Sequence, residues 1–168
     1  DIPVMATTRT GPDAQIADLL STARRSLRLS VAFLSRLDGT TQHLEVVEAA
    51  GPASLLFREG ATQRQETSFC QAILDGRLPA VIPDVRRFPA AMALPAARMP
   101  RIRSYVSVPV TLSDGTLYGT FCAAGLTSDA ADLHEAVGDL RYLELEERAN
   151  QLRIAAREDD LRALRPRA

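Results

Sequence analysis

The sequence predicts an α+β domain, an antiparallel sheet with helices packed on its faces. Two observations carry that expectation. Two segments read as β-hairpins, one turning at Asp38-Gly39 and one at Asp114-Gly115. The elements also run in the order helix, hairpin, helix, strand, long connection, hairpin, long helix, which suits an antiparallel sheet covered by helices.

The opening residues 1–12 carry Thr, Pro and Gly and read as a loose lead-in. From Asp13 the apolar positions Ile16, Leu19, Leu20, Ala23 and Leu27 recur at helical spacing, so a helix is expected to end near Leu29. The first hairpin follows, with Val31, Phe33 and Leu37 before the turn and Leu44, Val46 and Val47 after it. Residues 51–66 contain Gly51, Pro52 and Gly60 and form a connection to which the sequence assigns no regular element. "TSFCQAILDG" reads as a short helix capped by Thr67 or Ser68 and stopped by Gly76. "AVIPD" is a short strand ending at Pro83. Residues 85–103 are interrupted by Pro89, Pro95 and Pro100, so they form no single regular element. A connection of that length is often functional, here a candidate lid around Met92–Met99. The second hairpin spans 104–112 and 116–125. Residues 129–164 read as a long helix, in which Leu145, Ala149, Leu152 and Ala156 form a short coiled-coil type seam.

Composition bounds the function. A chain of 168 residues suits one domain, and 46% apolar with 24% charged residues is that of a packed protein. The net charge of −1 supplies no field to gather nucleic acid or an anionic membrane. All twenty basic residues are Arg, which a GC-rich base composition explains; the clusters Arg24-Arg25 and Arg98/Arg101/Arg103 lack interleaved aromatics and read as solvated faces. No apolar run is long enough for a membrane helix, and no signal peptide is visible. Cys70 and Cys122, the two cysteines, make no close-spaced redox or zinc motif and fit a reducing, cytoplasmic setting. The chain begins at Asp1 rather than Met and is expected to be a piece of a longer protein, with tag residues a candidate ahead of Met5.

The second hairpin has two unlike faces. Strict alternation puts Val106, Val108, Val110, Leu117, Phe121 and Ala123 on one, and Tyr105, Ser107, Pro109, Tyr118, Thr120 and Cys122 on the other. The second set lacks the charges of a wet face and mixes aromatic, hydroxyl and thiol groups, as the wall of a small-molecule pocket does. The same residues also suit neutral packing beneath a loop, because Thr and Tyr are good strand formers. Phe69 and Cys70 are candidate wall residues and Asp84 a candidate rim residue or turn cap.

"ETSFCQAILDGRLPAVIPDVRRFPA" followed by "RIRSYVSVPVTLSDGTLYGTFCAAG" resembles a bacterial GAF domain. The likeness rests on the Phe69-Cys70 helix, the strand ending at Pro83-Asp84, and the "RSYVSVPV" and "DGTLYGTFC" strands. With the first helix and hairpin it covers about residues 13–130, leaving 131–168 as a signalling or dimerisation helix. The resemblance implies a PAS-like antiparallel sheet with helices on both sides. It also implies a cytosolic sensory module of a bacterial signalling protein, with a ligand over the sheet.

Several family chemistries lack their residues here. Free methionine sulfoxide reductases of this fold need a cysteine just before the "RSYVSVPV" position, where this chain reads "MPRIR". The cyclic-nucleotide signature contains a Lys, and this chain has none. Bilin attachment needs a reachable Cys with a neighbouring His, and haem an axial ligand; His43 and His134 stand apart from both cysteines. The resulting expectation is a non-enzymatic sensor domain. It binds an unidentified small molecule through Phe69, Cys70, Asp84, Tyr105, Ser107, Tyr118, Thr120 and Cys122, with no cofactor named. It dimerises through its helices and is linked covalently to an output domain. Two alternatives stay open: a dimerisation module with a vestigial pocket, and the thiol-dependent reductase.

Overall fold

The structure, a computed structural model, describes residues 12–99, 101–112, 114–126 and Leu133. Helix α1 (Pro12–Leu27) buries Ile16, Leu20, Ala23 and Leu27, which step by four, three and four along one face. It ends two residues before the expected Leu29. Arg28 adopts a φ of 57°, and the Leu29 N–H bonds back to the Arg24 carbonyl at 3.0 Å, closing the helix as a left-handed cap does.

The first hairpin forms as expected. Strands β1 (Val31–Leu37) and β2 (Thr41–Ala49) flank Asp38-Gly39, where Gly39 takes a φ of 98°. The Asp38 carboxylate accepts from the N–H groups of Thr40 at 2.9 Å and Thr41 at 2.7 Å. The connection after β2 is more ordered than the sequence suggested. It holds a single helical turn, α2 (Ala53–Leu56), and an edge strand, β3 (Thr62–Arg64), too short and too polar to announce itself.

Helix α3 (Phe69–Leu74) is bounded by residues suited to each end. Ser68 Oγ accepts from the Gln71 N–H at 3.1 Å. At the other end Gly76 has a φ of 77°, Gly76 N–H bonds Ile73 O, and Arg77 N–H bonds Ala72 O, the paired bonds of a Schellman motif. Strand β4 (Val81–Ile82) follows. Residues 85–103 then fold into three single turns: 3-10 turns at Val85–Arg87 and Pro95–Ala97, and α4 (Pro89–Met92) between them. Pro89 and Pro95 each sit at the start of their turns, where the missing N–H costs no bond. Strands β5 (Ser104–Thr111) and β6 (Leu117–Gly125) complete the sheet.

Among the described residues six strands run in the order β3-β2-β1-β6-β5-β4, every pairing antiparallel. The first strand and the last thus meet at the centre. The sheet divides two cores. On one side Ile16, Leu20 and Leu27 of α1 pack on Leu34, Val46, Val106, Val108 and Phe121, with Leu133 joining them. On the other, α3 and the turns of 85–103 pack on Val31, Phe33, Tyr105 and Cys122. Buried on both faces, β1 reads as a nearly continuous apolar run rather than an alternation.

Residues 85–103 contribute Val85, Ala91, Leu94, Ala96, Ala97 and Ile102 to that second core, so they are a packed layer rather than an open strap. Met92 packs partly against it and Met99 stands exposed. The expected long helix and its Leu145–Ala156 seam lie outside the described residues, as do His134 and most of the lead-in.

The alternation expected in β6 fails at one place. Val110 pairs with Gly119 but Thr111 with Leu117, leaving Tyr118 as the extra residue of a bulge. The bulge turns Tyr118 into the α1-side core, away from Thr120 and Cys122, and leaves Leu117 exposed. The expectation that Tyr118 shares the hydroxyl-and-thiol face, with Leu117 in the core, is corrected accordingly. Next to the bulge, β6 lies so close to β1 that a Cβ on Gly119 would run into the carbonyl of Ser35, 2.8 Å from its carbon. Gly119→Ala is expected to destabilise the fold by about 1–3 kcal/mol or more, since the obstacle is backbone that cannot step aside. Urea unfolding of the two proteins checks this, and equal midpoints would contradict it.

Candidate functional site

The register of three strands and one helix brings the candidate site together. Pairing of β1 with β6 sets Ser35 opposite Thr120, and pairing of β5 with β6 sets Ser107 opposite Cys122. Helix α3 lowers Cys70 onto this face. Ser35, Cys70, Tyr105, Ser107, Thr120 and Cys122 are all buried, none more than 4% exposed.

Their polar atoms are hydrogen-bonded to one another. Thr120 Oγ1 donates to Cys70 Sγ at 3.1 Å, accepts from Cys122 Sγ at 3.1 Å, and lies 2.7 Å from Ser35 Oγ. The Tyr105 hydroxyl reaches Cys70 Sγ at 3.1 Å, and Gln42 Nε2 donates to the same sulfur at 3.0 Å. Ser107 Oγ lies 3.6 Å from Cys122 Sγ. The two sulfurs are 3.2 Å apart. Three donors from three strands therefore converge on one acceptor, Cys70 Sγ. Phe69 stacks on the Tyr105 ring with centroids 4.9 Å apart and holds the phenol in place.

This convergence decides the acidity of the thiols. Burial acts to raise Cys70, but hydrogen bonds from Cys122, Thr120, Tyr105 and Ser35 outweigh it and bring the thiol down from 9.0 to about 6. Burial, and the charge that gathers on Cys70, push Cys122 well above the usual thiol range. Burial likewise holds Tyr105 well above its ordinary range, so its phenol stays a donor. The pair is one thiolate-forming sulfur beside one retained thiol.

The expected site residues fall into three groups. Phe69, Cys70, Tyr105, Ser107, Thr120 and Cys122 come together. Tyr118 lies across the sheet. Asp84 caps the Val85–Arg87 turn through the Arg86 N–H at 3.0 Å and pairs with the Arg86 guanidinium at 2.9 and 3.0 Å. That guanidinium holds its carboxyl below the usual range, and Asp84 serves as the cap of this turn.

Two members were missed, Ser35 and Gln42. Ser35 follows Val31 and Phe33 at a spacing of two, and its inward place was readable from that period. Gln42 is 1% exposed and also accepts from Gln63 Nε2 on β3, a pairing that depends on the unforeseen edge strand. The two cysteines, which make no close-spaced motif in the sequence, are brought into contact by the fold. Among the described residues no group of three or more His, Cys, Asp or Glu side chains gathers as a metal site, and His43 lies on β2, 2.8 Å from Asp38.

Comparison with known proteins bears on this arrangement. The family model of the GAF domain matches residues 12–147. A far-red cyanobacteriochrome photoreceptor superposes with a TM-score of 0.62 at 15% identity, over 88% of this chain and 87% of the other. A protein described as a GAF sensor from Burkholderia vietnamiensis gives 0.58 at 22%, over 86% of each chain. The GAF domain of a phosphoenolpyruvate-protein phosphotransferase from Acinetobacter gives 0.59 at 10%, over 90% and 87%. No curated protein gives a significant match.

The lowered pKa of Cys70 makes stability depend on pH. Between about 6 and 9 the folded thiol is ionised while the unfolded one still holds its proton, so stability rises with pH across that window. Above it the unfolded Cys122 ionises and the folded one does not, which reverses the trend. The stability difference between the parent and Cys70→Ser is expected to grow from pH 6 to pH 9 in urea titrations. A difference constant over that range would contradict the assignment.

Proposed function

The chain belongs to the GAF domain family, and from that premise we propose that it is a small-molecule-sensing regulatory domain of a bacterial signalling protein. Its ligand binds over the β1–β6–β5 face, and its helices pass the change to a linked output domain. The observation that carries this reading is the buried, hydrogen-bonded set of Cys70, Tyr105, Ser107, Thr120 and Cys122 beneath α3 and the turns of 85–103. A protein core seldom gathers so many polar groups, because each left without a partner costs about 1–3 kcal/mol. Residues 13–130 form the sensing unit in this reading, and 131–168 the dimerising and signalling helix. Among the described residues no helix is long and apolar enough to cross a membrane; the proposed setting is the cytoplasm.

The role is regulatory rather than catalytic. Thiol-dependent reduction of methionine sulfoxide would need a cysteine at 99–103, where the chain has Met, Pro and Arg with Ile102. A covalently attached chromophore of photoreceptor type does not fit either. Both thiols are buried and engaged with each other, with 0% and 4% exposure. The ligand of this reading is held by hydrogen bonds.

One observation favours a second reading, a dimerisation module with a vestigial pocket: the hydroxyls and thiols already satisfy one another. Native mass spectrometry separates the two. Freshly purified protein, alone and with a panel of nucleotides, organic acids and amino acids, is expected to carry a bound small molecule. Tyr105→Phe is expected to lower its affinity by about tenfold with the fold kept, the worth of one hydrogen bond in a site. A ligand-free dimer throughout the panel would overturn the sensor reading in favour of the second.

A further inference from the structure

Cys70 and Cys122 stand with their sulfurs 3.2 Å apart and unbonded, one on α3 and one on the central strand β6. A disulfide spans about 2.05 Å between sulfurs, so an approach of roughly one ångström would close it. The two partners differ in freedom. Cys122 is fixed by β1 and β5 on either side. Cys70 lies in the first turn of a six-residue helix, which sits above the sheet rather than within it.

The surroundings divide the labour between the sulfurs. Gln42, Tyr105 and Thr120 all donate to Cys70 Sγ, and donors favour the thiolate, the form that attacks an oxidant. Cys122 keeps its proton and points it at Thr120. A hydrogen-bonded path also leads inward from the surface. Exposed Gln63 on β3 bonds the buried Gln42, and Gln42 bonds Cys70. A single buried side chain on that path separates the sulfur from solvent. Because Cys70 is wholly buried, an oxidant reaches it only when this layer opens, which favours a small one such as hydrogen peroxide.

We propose that Cys70 and Cys122 form a reversible disulfide switch oxidised by small peroxides. The Cys70 thiolate attacks one oxygen of hydrogen peroxide. The O–O bond breaks, and hydroxide leaves and takes up a proton to become water. Cys70 is then a sulfenic acid. The Cys122 sulfur attacks it, the S–S bond forms, the S–O bond breaks, and the oxygen leaves as a second water carrying the Cys122 proton. Two thiols are oxidised to one disulfide while one peroxide is reduced to two waters, and a dithiol reductant reverses the change.

Closure removes the acceptor that holds the cluster together. Gln42, Tyr105 and Thr120 lose their shared thiolate, and α3 is drawn onto β6 with Phe69 still stacked on Tyr105. Oxidation therefore changes how the outer layer sits on the sheet. The proposal needs no ligand in the pocket, so it stands or falls separately from the small-molecule reading.

The test treats the reduced full chain with hydrogen peroxide, alkylates free thiols, and maps peptides without reduction. The expected product is a monomeric chain lighter by two hydrogens, with the Cys70 and Cys122 peptides joined. Folded protein is expected to form it at least about tenfold faster than the same chain in urea at the same pH, because the sulfurs are already in contact. In Cys122→Ser the Cys70 sulfenic acid is expected to persist and to be trapped by a 1,3-dione. In Cys70→Ser the remaining thiol is expected to resist the same dose. Two free thiols in the treated parent, only intermolecular disulfides, or a folded rate no faster than the unfolded one would each overturn the switch. The parent's peptide map decides the matter even if neither variant folds.

Discussion

The pairing of β1 with β6 is the constraint on which the rest of this structure depends. The two strands lie far apart in the chain and meet at the centre of the sheet, with Val31 opposite Ala124 and Arg36 opposite Gly119. Gly119 lets the backbones approach more closely than any side chain would allow. That approach sets Ser35 beside Thr120 and, through Thr120, the position of both sulfurs. Two bulges, at Glu45 on β2 and at Tyr118 on β6, adjust the neighbouring registers around it.

A buried polar group is costly alone and tolerable in company. Ser35, Gln42, Tyr105, Thr120 and the two cysteines come from five elements, and none would be comfortable in this core without the others. The cluster thus depends on the register being right, and a slip of one residue in β6 would strand its hydroxyls in an apolar layer. The same dependence makes it sensitive. Anything that changes one member, whether a bound molecule or an oxidised sulfur, must be answered by the rest.

Much of the fold was legible in the sequence because it rests on local signals. Asp38-Gly39 and Asp114-Gly115 mark their turns, Ser68 and Gly76 bound α3, and Ile16 to Leu27 show the face of α1. The hydroxyl-and-thiol face was legible from period two along β5 and most of β6. What escaped was non-local. A bulge of one residue reversed Tyr118 and Leu117, and no local pattern announces it. The contact of Cys70 with Cys122 spans 52 residues and exists only once α3 is laid on the sheet. Gln42 became a site residue through β3, which is three polar residues long. Asp84 carried a turn signal, and it caps the turn with Arg86.

The β1–β6 pairing and the polar cluster form one cooperative unit in this fold. A double-mutant cycle over Ser35→Ala and Thr120→Val, read by urea unfolding, tests it most directly. The expected coupling is about 0.5–1.5 kcal/mol, because each single change leaves a buried partner without its bond and the double change removes both. Strictly additive losses would contradict it, since the two hydroxyls would then be independent neighbours rather than parts of one network.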